Sequence, residues 1–169
     1  VVAARDAAIG ATLNDLLTAL ASARAEEGAR LEIVLSGHLD AIDDQVKRAS
    51  DCAAAQPEAI RGRLRALFDE LLDGDRMLSE ERLAQEAALL VGKADIREEL
   101  DRLRAHLEAA RELVDDGVAI GRRFDFLCQE FNREANTLCS KSADVELTRI
   151  GLELKASIEQ MREQIQNVE

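Results

Sequence analysis

Apolar residues recur every three or four positions along nearly the whole sequence, which is the spacing of one face of an α-helix. Over residues 96–114 and 147–168 the spacing settles into a seven-residue period, typical of helices that pack along a shared seam. No strand-like alternation is present, and no Trp or Tyr accompanies the four Phe, which argues against a sandwich or a barrel. The sequence therefore predicts an all-α fold.

The interruptions of this pattern predict where helices begin and end. Residues 2–54 read as one very long helix or as two with a slight bend, and Pro57 suits the first turn of a second helix. We therefore expect residues 1–75 to form a long helical hairpin or projecting arm. Residues 76–169 would form a small helical bundle with heptad-like seams, a separate C-terminal domain. Its helices are delimited by capping and turn residues: Ser79, Gly92, Asp95, Gly117, Ser142 and Asp144.

The balance of charge is strongly acidic. Lys and Arg number 22 while Asp and Glu number 34, which gives a formal net charge of −12. Because a surface of this sign repels nucleic acid, the chain as a whole is not a general polyanion binder. Any contact with nucleic acid must come from a local basic patch, or from a part of the protein outside this sequence.

The cysteines and the chain start bear on the compartment. Cys52, Cys128 and Cys139 form no C-x-x-C pair, so we expect small buried hydrophobes in a reducing compartment rather than a disulfide framework. No apolar run approaches the ~20 residues of a membrane span. Residues 1–10 hold neither an initiator Met nor a signal pattern. We therefore expect a piece of a longer protein without a membrane segment.

The helix predicted over residues 118–139 has three distinct faces. Its core face is Phe124, Leu127, Cys128, Phe131, Ala135 and Leu138. A second face, spaced i, i+4, i+7 and i+11, is Asp125, Gln129, Asn132 and Asn136. A third holds Arg123, Glu130 and Glu134. Amides weaken a helix but offer paired donors and acceptors, so the second face is either a ladder bonded to neighbouring helices or a surface for a ligand.

Two groups of charged residues could take part in chemistry. Between residues 121 and 141 four basic side chains outnumber three acidic ones, and these could bind phosphate or form ion pairs with Glu130, Glu134 or another helix: Arg122, Arg123, Arg133 and Lys141. The preceding helix carries on one face Asp95, Glu99, Arg102 and His106. This face could serve a divalent metal or an acid–base pair, or it could be a solvated, salt-bridged surface. Glu99 and His106 lie two turns apart, about 10 Å, too far to share one ion without a bridging water.

Several segments resemble the bacterial YicC family. They are residues 94–103 (ADIREELDRL), 121–127 (GRRFDFL), 129–137 (QEFNREANT), 140–142 (SKS) and 158–169 (IEQMREQIQNVE). The resemblance implies a cytoplasmic endoribonuclease that cleaves RNA with a divalent cation, Mn²⁺ or Mg²⁺, and assembles as a ring-like hexamer. It also implies an N-terminal α/β domain outside this sequence, which would have to supply the positive charge that this acidic chain lacks.

On this resemblance we predict a division of roles. The residues expected to bind phosphate or orient RNA are Arg122, Arg123, Gln129, Asn132, Arg133, Asn136 and Lys141. The residues expected to act in catalysis are Asp125, Glu130, Glu134 and His106. The residues expected to bind the metal are Glu99, Glu130 and Glu134. The alternative, which the heptad seams favour, is a helical oligomerisation or partner-binding module with no catalytic residues of its own.

Overall fold

The structure is a computed structural model in which residues 2–71, 80–117, 120–142 and 144–166 are described. Within these ranges the regular structure is entirely α-helical, which confirms the predicted fold class. The helices are α1 (Val2–Leu71), α2 (Glu80–Lys93), α3 (Arg97–Asp116), α4 (Gly121–Lys141) and α5 (Val145–Ile165). Among these helices, none combines the length and the apolar character needed to cross a lipid bilayer.

Helix α1 runs without interruption for 70 residues and contains Pro57 in its interior. The predicted hairpin at Pro57 is therefore wrong, and of the two alternatives for residues 2–54, one long helix or two with a slight bend, the structure has the single helix. A proline inside a helix costs about 3 kcal/mol because it removes one hydrogen bond and crowds the preceding turn. Here the helix packs on both sides of that position, against α3 and α5 before it and against α2 around it. This packing offsets the local penalty.

Four helical segments form an antiparallel bundle: residues 35–53 of α1 together with α3, α4 and α5. α1 and α4 each contact both α3 and α5. The direction follows from the polar contacts, because Gln45 and Arg48 of α1 meet Ser157 and Glu153 of α5 in reverse order. The segment of α1 up to residue 53 thus belongs to the same core as the C-terminal helices, while the domain boundary near residue 75 stays a prediction.

The core of this bundle is apolar and follows the sequence periodicity. On α1 the buried residues are Leu35, Leu39, Ile42, Val46 and Ala49. On α3 they include Leu100, Leu103, Leu107 and Ala110, and on α5 Leu147, Ile150, Leu154, Ile158 and Met161. On α4 they are the six residues predicted from the spacing: Phe124, Leu127, Cys128, Phe131, Ala135 and Leu138. When these faces pack together, a continuous apolar stripe of each helix is removed from water. This burial of apolar surface is the main favourable contribution to the free energy of folding.

The helix ends are formed by specific backbone groups. α3 stops at Gly117, whose φ of 64° is left-handed and whose N–H donates to Leu113 O. α5 is capped by Asp144, one of the two predicted caps, which accepts the N–H groups of Glu146 and Leu147. Asp95 was expected to cap α3, but the helix begins at Arg97 and Asp95 lies just before it, accepting the Arg97 N–H at 3.0 Å. The predicted cap at Ser79 lies outside the described residues, and so do Asp73 and Gly74, where the sequence predicts the end of the helix that Pro57 would begin.

The first 30 residues of α1 extend beyond the bundle and are exposed throughout the described range 2–30. Their large apolar side chains lie at helical spacing along this segment, and we call them the α1 stripe: Val2, Ile9, Leu13, Leu16 and Leu20. Side chains of this size on a protruding helix form an unusually apolar surface for a chain with so many charges.

α4 and α5 approach closely where Gly151 faces Cys139. A Cβ atom built on Gly151 would lie 2.5 Å from Cys139 Sγ and 3.1 Å from Leu138 Cδ2. We expect Gly151→Val to lower the free energy of unfolding by about 2 kcal/mol or more, because the added atoms would overpack this contact. Urea denaturation followed by circular dichroism measures the change.

Gly37→Val is the matched control, because Gly37 is also helical and has nothing within 4 Å of its added Cβ. The Cys139→Ala change in the Gly151→Val background should recover part of the loss. Equal destabilisation at residues 37 and 151 would show that helix propensity, not close packing, sets the effect.

Asp95 gives the fold a dependence on acid pH. The Arg97 side chain, followed by the Arg97 N–H, lowers the pKa of Asp95 to about 2. Since the folded-state pKa lies below the unfolded value of about 4, the stabilisation is present above pH 4 and is lost as the pH falls through 2. We expect Asp95→Asn to cost less than about 1 kcal/mol at pH 6, because the pair is partly solvated, and progressively less as the pH falls toward and below 2.

Urea midpoints of both proteins between pH 2 and pH 6 check this expectation, with Asp15→Asn, an exposed aspartate on α1, as the control. If the difference in urea midpoint between wild type and Asp95→Asn did not change with pH, the Asp95–Arg97 interaction would not be the cause of the acid dependence.

Candidate active site

A line of polar side chains follows the antiparallel seam between α3 and α4. At one end Lys141 Nζ donates to Glu99 Oε1 at 2.8 Å. One turn further along α3, Arg102 Nη1 donates to Glu134 Oε1 at 3.3 Å. Next comes His106. The two helices are antiparallel, so residue numbers rise along α3 as they fall along α4. Each of these three polar side chains of α3 therefore lies next to a polar side chain of α4.

His106, Glu130 and Glu134 form a compact group, which we call the seam cluster. One ligand atom from each residue lies within 4.8 Å of the others. Glu130 and Glu134 are one turn apart on α4 and therefore project from the same face. His106 reaches them from α3, and its ring packs edge-on against Phe131 with a centroid distance of 5.6 Å. Three candidates taken from two separate stretches of sequence thus come together.

The seam cluster has the donor set of a divalent-cation site. His106 Nε2 is buried and has no hydrogen-bond partner among the described residues, a state that is unfavourable for a polar atom. Glu134 is only 3% exposed, so its carboxylate lies in a low-dielectric region with Arg102 as its described ion-pair partner. Two carboxylates and an imidazole suit Mn²⁺, and the carboxylates alone suit Mg²⁺. The residues present therefore fit such an ion.

Glu99, the third expected metal ligand, lies outside the seam cluster. Its carboxylate is 4% exposed and is bound to Lys141, which also donates to Asp95 O at 3.1 Å. The structure accordingly places Lys141, an expected phosphate ligand, in a partly buried ion pair that joins the end of α4 to the start of α3.

Asp125, an expected catalytic residue, also lies apart from the seam cluster. It accepts Arg162 Nε of α5 at 2.9 Å and the Gln129 amide at 2.8 Å. The hydrogen bond from Arg162 is the main cause that lowers the pKa of Asp125 below its usual value. Asp125 is therefore ionised at neutral pH and links α4 to α5.

The amide face of α4 does not form a ladder to neighbouring helices. Gln129 is exposed and bonds along its own helix to Asp125. Asn132 is half-buried and Asn136 is exposed, and neither side chain makes a hydrogen bond to another helix within the described ranges. Of the two interpretations left open by the sequence, the surface available to a ligand agrees with this geometry.

The arginines of α4 differ in what they contact. Arg133 approaches Glu130 at 3.8 Å, so the ion-pair alternative applies to this residue. Arg122 and Arg123 are exposed at the start of α4 and form no ion pair with any residue that the structure describes. Arg123 lies two turns, about 10 Å, before Glu130 on the same face. Arg122 and Arg123 therefore present positive charge near the seam cluster.

The sequence placed Arg102 on a face of α3 that is either a metal or acid–base surface or a salt-bridged one, and for Arg102 the structure shows the salt-bridged alternative. Its guanidinium bonds to Glu98 of its own helix and to Glu134 across the seam. The sequence does contain a charge pattern that points to this contact. Glu99, Arg102 and His106 are spaced along α3 so that each can face an oppositely charged or metal-binding partner on α4, namely Lys141 and the two glutamates. Recognising it required the register between the two helices, which the sequence alone does not give.

Burial makes two of the three thiols, those of Cys52 and Cys128, poor nucleophiles. Cys128 is fully buried, and burial raises the pKa of its thiol to about 12, so it stays protonated. Cys52 is half-buried, and burial also raises its pKa. All three cysteines are free, as expected from their spacing.

The buried pair at the end of the seam should be essential to stability. We expect Lys141→Met to lower the free energy of unfolding by about 2–4 kcal/mol, because it leaves the Glu99 carboxylate buried without a cation. The Glu99→Gln change in that background should recover much of the loss. Urea denaturation of the single and double variants measures both effects.

Lys155→Met is the control, since Lys155 is also half-buried but makes no described ion pair. If Lys141→Met were no more destabilising than Lys155→Met, the pair would not hold the seam.

Comparison with known proteins gives a consistent set of relatives. A family profile described as "Endoribonuclease YicC-like, C-terminal" matches residues 47–169. The chain is 38% identical over 156 residues to the probable endoribonuclease YicC of Haemophilus influenzae, covering 92% of this chain and 53% of that protein. It is 36% identical over 157 residues to the probable endoribonuclease YicC of Clostridioides difficile, covering 93% and 54%. The chain thus spans about half the length of these relatives, and the match includes the whole seam cluster.

Proposed function

Because this chain belongs to the family of YicC-like endoribonucleases, we propose that it carries the divalent-cation site of an enzyme that cleaves RNA. The observation that carries this proposal is the seam cluster, in which His106, Glu130 and Glu134 bring their ligand atoms within 4.8 Å of one another. Each carboxylate has an arginine partner, Arg133 for Glu130 and Arg102 for Glu134. A cation between the two carboxylates would offset the repulsion that remains between their like charges.

The residues in and around the seam cluster would have two different roles, binding the cation and positioning its ligands. His106, Glu130 and Glu134 would hold Mn²⁺ or Mg²⁺, which when bound would stabilise charge on a phosphate or lower the pKa of a coordinated water. Arg102 orients the Glu134 carboxylate through its hydrogen bond, and Phe131 fixes the ring of His106. These two residues act on the positions of the ligands rather than on RNA.

The RNA strand would be bound by the side chains around the cluster. Arg122 and Arg123 would contact phosphates before the cleaved bond, because both are exposed and without a described partner. Asn132 and Asn136 would orient the strand through their free amide groups. The net charge of −12 means that further positive charge must come from other subunits or from another part of the protein, such as the expected N-terminal domain.

A second candidate function is supported by the α1 stripe. An exposed apolar face on a projecting helix is typical of a surface that packs against another chain. The chain could therefore act as a helical assembly module, with cleavage carried out elsewhere in the protein. The two functions are compatible in a homo-oligomer such as the expected hexamer, but they make different predictions for the seam cluster.

Substitutions in the seam cluster test the catalytic proposal. We expect Glu130→Gln and His106→Ala in the complete protein to lower kcat for cleavage of a structured RNA by 100-fold or more in Mn²⁺, because each removes a ligand. Light scattering should show an unchanged oligomer, and thermal melting should show an intact fold.

Glu112→Gln is the matched control, because Glu112 is an exposed glutamate of α3 with no described contact. Cleavage at the wild-type rate by Glu130→Gln and His106→Ala would contradict the catalytic proposal and favour the assembly module.

A further inference from the structure

A cavity of about 440 Å³ lies between the second half of α1, the end of α2 and the end of α4. It is distinct from the seam cluster, none of whose residues lines it. Leu64 and Leu67 of α1 and Leu90 of α2 form much of its wall. A volume of this size, with an apolar wall, suits a flat small-molecule group such as an aromatic base.

The polar lining of this cavity is positively charged. Arg63, Lys93 and Lys141 contribute to it, and none of the described lining residues carries a carboxylate. Three cationic side chains thus line one cavity in a chain whose net charge is −12. Lys141 is bonded to Glu99, whereas Lys93 is exposed at the end of α2 and makes no ion pair with a residue that the structure describes. Lys93 is therefore the cation best placed to bind an external anion.

The cavity is close to the seam cluster. Lys141, which lines it, lies seven residues after Glu134 on α4, or about 10 Å along the helix. A second cavity of about 770 Å³ is lined by both Lys141 and Arg102, and Arg102 bonds to Glu134. The two cavities therefore share Lys141 as a lining residue, and the second is bordered by a residue that bonds to the cluster, so one strand of RNA could reach both.

We propose that this cavity binds one nucleotide of the RNA strand beside the bond that is cleaved. The base contacts Leu64, Leu67 and Leu90, and its phosphate is bound by Lys93. The combination of an apolar wall with a cationic rim matches an unpaired nucleotide, which offers a base face and an anion together, whereas a base stacked in a duplex cannot enter. This inference rests on the proposed function, because it takes RNA as the substrate.

The charge contact is tested by RNA binding in Mn²⁺ with the Glu130→Gln protein as background, where cleavage is suppressed and the negative charge of the seam cluster is reduced. A fluorescein-labelled single-stranded RNA is titrated with the complete protein, and anisotropy gives Kd at several salt concentrations. We expect Lys93→Ala to weaken binding about 5- to 10-fold and to reduce the slope of log Kd against log salt by about 0.7, the value for one phosphate of a single strand. Lys47→Ala removes an exposed lysine of α1 that is paired with Asp43, and it should change neither Kd nor its salt dependence.

The base contact is tested by filling the cavity. We expect Leu64→Trp to weaken binding of the same RNA at least 5-fold, but to have little effect on an oligomer of abasic nucleotides. Leu67→Trp provides a second variant at a more exposed position, and Leu17→Trp on the projecting part of α1 is the control. Thermal melting shows whether each variant is folded.

The outcomes separate this inference from the proposed function. Unchanged RNA binding by Lys93→Ala and by Leu64→Trp or Leu67→Trp, in a protein that still cleaves RNA through Glu130, overturns the nucleotide site and leaves the endoribonuclease proposal intact. A wild-type protein that binds no RNA overturns both. If uridine monophosphate binds in a manner that requires Leu64 while RNA binding does not, the cavity serves a free nucleotide and the inference is again wrong.

Discussion

The pairing of Glu99 with Lys141 fixes the register on which the candidate site depends. Glu99 is 4% exposed, so displacing α3 by one turn along α4 would leave its carboxylate buried without a cation. The same register places Arg102 opposite Glu134 and His106 opposite Glu130. An apolar seam tolerates small shifts because one leucine can replace another, whereas a buried ion pair does not. Polar contacts along this seam therefore specify the geometry that apolar packing stabilises.

The sequence predicted the parts of the fold that are governed by local spacing. The buried face of α4, from Phe124 to Leu138, followed from its 3.6-residue period, and the end of α3 at Gly117 followed from glycine at a left-handed position. Pro57 was misinterpreted because its effect depends on packing against α2 and the bundle, which no local pattern reports. The same limit applies to the site. Glu130 and Glu134 were recognised as one stripe, but their meeting with His106, and the diversion of Glu99 to Lys141, depend on the register between two helices.

The arrangement of charge on α4 bears on the proposal that this acidic chain contacts RNA. The seam cluster is negative, and its carboxylates would repel a phosphodiester unless a cation lay between them. On α4 the exposed Arg122 and Arg123 precede the cluster, and Lys141, whose charge is paired with Glu99, follows it. A phosphate backbone lying along α4 would therefore meet the two arginines first and the carboxylates further along. A cation held by the cluster would reduce the repulsion that the strand meets there.

The length of α1 connects the site to assembly. Its segment 35–49 is buried against α3 and α5, so the helix is anchored in the same core that holds the seam. At roughly 1.5 Å per residue, the exposed residues 2–30 extend about 44 Å from the bundle. If a second copy of the chain covered the α1 stripe, as in the proposed assembly, the two acidic bundles would lie at the ends of long helices, and the distance between them would limit their repulsion. A long projecting helix would thus let a chain of net charge −12 associate through apolar contacts while its charged bundles stay apart.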